Sequence, residues 1–248
     1  MNDHRPVLIV GATSAIARAT AAELAHRGHA LFLTARDAGE LERIAADLHL
    51  RYEVPIESAA FDLADTDTHA PLLQQAESGL GALHGVVLAS GSLGDAARTR
   101  EDETETARLL HINFTAPALL LNRIARALES RGAGFIVGIG SVAGDRGRQS
   151  NYVYGSAKGG LALYLQGLRN RLHASGVQVL TVKPGFVDTA MTYGLPGLFL
   201  IASPQHVGHD IVTALYKGRD TLYTPWFWRW IMLIIRSIPE RFFKRLSL

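Results

Sequence analysis

An α/β fold, with a doubly wound parallel sheet of about seven strands and helices on both faces, is what this 248-residue sequence predicts. Three observations lead there. Short apolar runs alternate with longer helical patterns along most of the chain, the order of successive β-α-β units. The runs are rich in Val, Ile, Leu or Phe and mostly lack polar alternation, as strands covered on both faces require. A glycine-containing turn follows the first run and opens directly into a helix, where sheets of this kind hold ligand phosphates.

The first strand is Val7–Val10. A helix over 15–27 ends at Gly28, which suits a C-cap. Residues 30–34 make the second strand, and Asp37 is placed to cap a helix over 39–48. Residues 58–61 and Gly85–Leu88 make the third and fourth strands. One long helix is predicted over 101–130, bent near Pro117, which cannot donate to the helical ladder. Strands over 135–139, 177–182 and 222–223 complete the sheet. Crossovers are expected to be right-handed, with the ligand site at the carboxyl ends of the strands, beside the switch in strand order. Residues 1–224 read as one Rossmann-type catalytic domain, and 225–248 as an aromatic and basic helical extension of it, beginning at Pro225. No internal repeat, low-complexity segment or linker is evident.

Composition narrows the function classes. With 48% hydrophobic residues, the chain can bury the core of one large domain. Its 25 basic and 23 acidic residues leave a net charge of +2, which gives no reason to expect a nucleic-acid partner. The absence of cysteine excludes disulfides, zinc thiolates and thiol nucleophiles and is compatible with a reducing compartment. The short polar start predicts no secretory leader, and no apolar run approaches the roughly 18 residues of a membrane span. The expected location is therefore cytoplasmic.

The turn after the first strand reads Gly11-Ala-Thr-Ser-Ala-Ile-Ala17. Glycine permits the tight bend, and free N–H groups at the helix start can receive a pyrophosphate. The candidates are Gly11, Thr13, Ser14, Ala15 and Ile16. Ala15 brings a methyl group close to the expected phosphate path, whereas Ala17 stands where helix and strand pack. The second strand ends in Thr34-Ala-Arg-Asp37. A carboxylate there would accept bonds from the ribose of NAD, whereas an arginine favours the 2′-phosphate of NADP. Arg36 points to NADP, with Asp37 beside it as the complication.

Tyr154-Gly-Ser-Ala-Lys158 lies in a candidate helix after the fifth strand, and its i, i+4 spacing puts both side chains on one face. Ser141 precedes it by thirteen residues, and Asn113 sits in the long preceding helix. In this setting the chain resembles the short-chain dehydrogenase/reductase family from residue 7 to about 224. The resemblance rests on Gly11 to Ala17, Asp62-Leu63, Leu88-Ala-Ser-Gly91, Asn113, Ser141, Tyr154 with Lys158, and Pro184-Gly-Phe-Val-Asp-Thr189, in family order and spacing. It departs at Leu88-Ala-Ser-Gly91, where the family usually has Asn-Asn-Ala-Gly, so side-chain bonds that steady the central sheet are lost.

The resemblance implies hydride transfer between NADP(H) and a carbonyl or secondary alcohol. Tyr154 would be the proton donor or acceptor. A free phenol ionises near pH 10, so work near neutrality asks for roughly 4 kcal/mol of help to the phenolate, expected from the Lys158 ammonium and the oxidised nicotinamide. Lys158 would also hold the nicotinamide ribose, Ser141 the substrate carbonyl, and Asn113 a water of the proton relay. Asp62, Leu63, Ala89, Ser90, Gly91, Pro184, Gly185 and Val187 are further cofactor contacts, and Thr189 would meet the carboxamide. The family usually forms homodimers or homotetramers, to which Leu161, Leu165 and Leu168 would contribute unless they face the sheet. A protein of a different class, a catalytically silent NADP-binding sensor or scaffold, would keep the turn without the Ser-Tyr-Lys set.

His206-x-x-His209 finds no third ligand, so no metal site is expected. Residues 193–203 are rich in Gly, Leu and Phe, which suits either a lid over an apolar substrate or core packing. The tail has five basic residues and one acid, leaving 20 basic and 22 acidic residues elsewhere. Its aromatic and basic mixture suits peripheral membrane contact through 226–248 or packing on the subunit. It also loosely resembles short-chain reductases acting on polyprenyl-phosphate-linked sugars. Since Trp and Ile occupy nearly every side of the helix, packing is the expected role.

Overall fold

The computed structural model describes residues 5–194 and 197–246. Residues 1–4, Leu195 and Pro196 of the expected lid, and Ser247 and Leu248 of the tail lie outside them. The elements in order are β1 (Val7–Val10), α1 (Ala15–His26), β2 (Leu31–Ala35), α2 (Ala38–Tyr52), β3 (Ile56–Ala60), α3 (His69–Leu80), β4 (Gly85–Leu88), α4 (Arg98–Glu101), α5 (Glu103–Leu110), α6 (Ala116–Arg131), β5 (Gly134–Ile139), α7 (Tyr152–Leu172), β6 (Val177–Pro184), α8 (Pro204–Tyr216), β7 (Thr221–Thr224), α9 (Trp228–Ser237) and α10 (Glu240–Phe243).

The seven strands form one sheet in the order β3-β2-β1-β4-β5-β6-β7, parallel at every pairing. Successive strand residues go to opposite faces. Val7 and Ile9 join a core with α1, α2 and α8, while Leu8 and Val10 join a second core with α3, α6 and α7. Both faces are covered, which is why the central strands read as unbroken apolar runs. The edge strands β3 and β7 are only partly buried and carry polar residues. Strand order reverses between β1 and β4, so the crevice above their carboxyl ends is the ligand position of this architecture.

One sequence expectation changes, and one open alternative is decided. The long helix over 101–130 is broken. Asp102 leaves the helical path and its carboxylate caps α5, accepting from the N–H groups of Thr104 and Glu105. A π-helical turn, His111–Thr115, then separates α5 from α6, where Pro117 stands in the first turn. Proline withholds the N–H that an α-helix would return to the Asn113 carbonyl, so the ladder reorganises there. Leu161, Leu165 and Leu168 face the sheet rather than a partner; they are buried in the second core. The apolar residues that α6 and α7 do expose are Leu119, Tyr152 and Leu163.

Candidate functional site

A cleft of about 860 Å³ runs above the carboxyl ends of β1, β4, β5 and β6, within the size range of small-molecule and cofactor sites. At one end is the turn after β1. Gly11 has φ +84°, and a β-carbon there would lie 2.8 Å from Ser90 Oγ, so the residue must be glycine for β1 and β4 to end side by side. Ser14 caps α1 by accepting from Ala17 N at 3.2 Å. The N–H groups of Ala15 and Ile16 belong to the first turn and have no carbonyl four residues back within the helix. Thr13, Ser14, Ala15 and Ile16 all line the cleft, while Ala17 is wholly buried against the sheet.

Arg36 stands exposed at the tip of β2, outside the cleft wall. The neighbouring carboxylate of Asp37 accepts from Glu40 N at 2.9 Å and so is engaged as the α2 cap. Asp62 and Leu63 follow β3 and also lie outside the wall. The Asp62 carboxylate accepts from Ala64 N at 3.0 Å, and the Leu63 carbonyl meets Nε2 of the buried His69 at 2.8 Å.

Ala89, Ser90 and Gly91 carry the wall past β4. Asn113 does not reach the cleft but holds the next residue in place. Its Nδ2 donates to Ser92 O at 2.8 Å and to Leu109 O at 2.9 Å, and its Oδ1 accepts from Ser92 N at 3.2 Å. The side chain is wholly buried. Its role in the geometry is thus to pin the loop after β4 to the π-helical turn.

Ser141 follows β5 and accepts from Ala143 N at 3.1 Å as the cap of a short turn, Val142–Gly144. This turn rests on the backbone of α7: a β-carbon on Gly155 would lie 2.9 Å from Ala143 O, and one on Gly159 2.8 Å from Gly144 O. Each glycine immediately follows Tyr154 or Lys158, so the contact that admits the turn also sets Ser141 beside both. Tyr154 and Lys158 are buried, yet both line the cleft. The ammonium donates to Ile139 O at 3.2 Å and lies 5.9 Å from the centre of the Tyr154 ring.

Burial governs the electrostatics. Desolvation pushes the Tyr154 phenol up to about 12, against the pull of a hydrogen bond from Ser141 that favours the phenolate. Desolvation brings the Lys158 ammonium down to about 8. Among the protein groups alone, loss of water outweighs the Ser141 hydrogen bond; the help expected for the phenolate from Lys158 together with the oxidised nicotinamide belongs to the cofactor-bound site. A phenol that stays protonated is suited to giving a proton to an oxygen on which negative charge develops.

From the last residue of β6 onward, Pro184, Gly185, Val187 and Thr189 line the cleft, followed by Met191 and Thr192. Thr192 Oγ1 donates to Val187 O at 2.5 Å and accepts from Thr189 N at 3.2 Å, closing this segment on itself. Several participants here were not singled out in the sequence. Asp145, four residues after Ser141, forms an ion pair with Lys183 at 2.5 Å and accepts from the Tyr223 hydroxyl at 2.7 Å. Arg146 donates to Arg236 O at 2.8 Å and to Glu240 at 2.7 Å, and its guanidinium stacks on Phe243. The segment carrying Ser141 is thereby tied to the sheet end and to the tail. Trp228 of the tail lies against Gly185, where a β-carbon would fall 1.8 Å from its Nε1, and against Phe186 and Phe199. The one signal for these contacts was the aromatic composition of the tail. His206 and His209 pair at 3.4 Å with Asp210 and Glu23 respectively, and among the described residues no cluster of three or more His, Cys, Asp or Glu is placed to hold a metal ion.

The residues present fit a dinucleotide. The cradle begins at the capped start of α1 and ends at the buried Lys158 ammonium, with donor capacity beyond its one bond to Ile139. Comparison with known proteins agrees. Residues 5–196 match the family model described as short chain dehydrogenase. An uncharacterised oxidoreductase of Mycobacterium tuberculosis is 36% identical over 241 residues, covering 97% of this chain and 96% of that protein. The cis-4-hydroxycyclohexanecarboxylate dehydrogenase of Sinomonas cyclohexanicum is 32% identical over 197 residues, covering 78% of this chain and 77% of that one. A short-chain dehydrogenase from Sphingobium yanoikuyae, solved in complex with NADPH, superposes with a TM-score of 0.83 at 26% identity, covering 95% of this chain and 97% of that chain.

Proposed function

The chain belongs to the short-chain dehydrogenase family of oxidoreductases, and from that premise we propose that it transfers hydride between NADP(H) and a carbonyl or its secondary alcohol. The observation that carries this reading is the meeting of Ser141, Tyr154 and Lys158 on the wall of a cleft that is continuous with the start of α1. Hydride is supplied by the reduced cofactor. The side chains do the rest. The Ser141 hydroxyl donates to the substrate oxygen and orients it. The Tyr154 phenol gives its proton to that oxygen as charge develops there. Lys158 stabilises the phenolate left behind and holds the nicotinamide ribose. Asn113, by fixing the loop after β4 and presenting a carbonyl that Pro117 leaves without its helical partner, anchors a water behind Lys158. In oxidation the same groups act in reverse.

For the cofactor, Gly11, Thr13, Ser14, Ala15 and Ile16 take the pyrophosphate, and Asp62 and Leu63 the adenine side. Ala89, Ser90, Gly91, Pro184, Gly185, Val187 and Thr189 surround the nicotinamide half. The choice of NADP rests on Arg36, exposed at the tip of β2, with Asp37 occupied by the α2 cap; the NADPH complex of the Sphingobium relative supports it. An apolar substrate fits the exposed Phe199, Leu200 and Ile201 beyond the cleft. We place the enzyme in the cytoplasm as a homodimer or homotetramer; a silent sensor would not need the Ser-Tyr-Lys arrangement. Fluorescence titration with both cofactors is the test. Arg36→Ala is expected to weaken NADPH by roughly 10- to 100-fold, the worth of a charge-assisted phosphate contact, and to leave NADH nearly unchanged. Equal affinity of the unaltered protein for NADH and NADPH would refute the assignment.

A further inference from the structure

α9 is apolar on two opposite sides. Trp228, Ile231, Met232 and Ile235 pack inward with Val142, Phe186 and Tyr223. Trp226, in the turn that leads into the helix, and Trp230, Leu233 and Ile234 share the other side by their i, i+4, i+7 and i+8 spacing. These four are 71%, 56%, 52% and 68% exposed. Phe199 touches Trp228 with ring centres 5.6 Å apart, so the half-exposed segment Phe199, Leu200 and Ile201 adjoins the tail. Phe242 and Leu246 of the tail are exposed as well.

Cations frame it. Arg229, Arg236, Arg241, Lys244 and Arg245 are exposed, and the one acid of the tail, Glu240, is paired with Arg146 at 2.7 Å. A contiguous apolar patch of this kind on a folded chain marks a contact surface. We propose that this outer face docks on an anionic lipid bilayer, with α9 lying in the plane of the interface. Indole rings suit headgroup depth, and arginines and lysines suit lipid phosphates. A ten-residue helix is about 15 Å long, half the roughly 30 Å hydrocarbon core, so it lies along the surface rather than through it. No helix among the described residues is long and apolar enough to cross. The competing occupant is a second copy of this chain. In a two-fold contact the same patch meets itself, which sets the cations of one tail against those of the other; an anionic surface neutralises them.

Sedimentation of the full chain with phosphatidylcholine vesicles, with and without phosphatidylglycerol, tests this without any turnover measurement, so its outcome is independent of the hydride-transfer reading. The expected result is binding to the anionic vesicles at low salt, a blue shift of tryptophan emission, and loss of binding as salt shortens the screening length. Trp226→Ala with Trp230→Ala should weaken binding at least about tenfold. Arg241→Gln with Lys244→Gln and Arg245→Gln should weaken it about fivefold per cation. All five positions are exposed, and an unchanged thermal midpoint shows that each variant is folded. An intact protein that stays in the supernatant with anionic vesicles at low salt overturns the proposal. So does salt-insensitive binding to both vesicle types, and so does a dimer at sedimentation equilibrium that the Trp226/Trp230 variant dissociates, which would assign the face to a second copy.

Discussion

Burial acts on Tyr154 and Lys158 in the same sense, towards their neutral forms. At neutral pH the result is a protonated phenol beside a lysine that still carries its charge, the state carbonyl reduction needs. The two are not equally secure. Tyr154 keeps its proton up to about 12, while Lys158 loses its own near 8. Lys158 is charged below that value, so cofactor affinity, if it depends on this ammonium, should fall as pH rises through about 8. Fluorescence titration from neutral to alkaline pH should show this fall, and Lys158→Met should give weaker binding that is flat with pH. An unaltered protein whose affinity is flat over that range would remove the ammonium from cofactor binding. Linkage runs the other way: between about 8 and the ordinary lysine value of 10.5 the unfolded chain holds the proton the native state has lost, so this group makes stability rise with pH there. The pairing of Tyr154 with Lys158 was legible, because i, i+4 spacing is a local property. The direction of the tyrosine shift was not, because it depends on water excluded by residues distant in sequence, Leu93, Leu109 and Leu110 among them.

The contact that assembles the site is between backbones. The turn Val142–Gly144 lies on α7 at Gly155 and Gly159, with no side chain between. Gly159→Ala would put a β-carbon 2.8 Å from Gly144 O, a distance that neither helix nor turn can absorb without moving. We expect kcat to fall at least about tenfold, since displacing an orienting group by less than an ångström has that effect, while NADPH binding at the start of α1 is little changed. A variant with full kcat would show that the turn is not what positions Ser141. The helix over 101–130 illustrates the other side of legibility. Pro117 was visible as a perturbation, but not its consequence, because the π-helical turn also answers to tertiary bonds from Asn113 to Ser92, and the separate break at Asp102 comes from that residue's cap on α5. The tail is a third case. Its apolar residues on every side were read as packing; the structure gives packing to one side only and holds that side through Arg146, Glu240 and Trp228.

At the scale of the molecule, the parallel order β3-β2-β1-β4-β5-β6-β7 gathers residues 14, 90, 141, 154 and 185, far apart in sequence, onto one rim. This much was readable from alternating runs and helices, because burial on both faces leaves its mark in each central strand. The edge strands β3 and β7 were located with shifted ends, since half-buried strands carry no such mark. Substrate identity was not legible, because Phe199 and the tail meet through generic apolar contacts. The central claim, that the rim is a hydride-transfer site run by Tyr154, is tested most directly by following NADPH absorbance with a panel of ketones and aldehydes for the unaltered protein and for Tyr154→Phe. That change removes one hydroxyl, with its bond to Ser141, and keeps a ring that can fill the same place against Leu109 and Ala143. The account predicts turnover on at least one carbonyl, reduced by several orders of magnitude in the variant, with NADPH affinity changed less than about threefold. Near-normal turnover by Tyr154→Phe would contradict it.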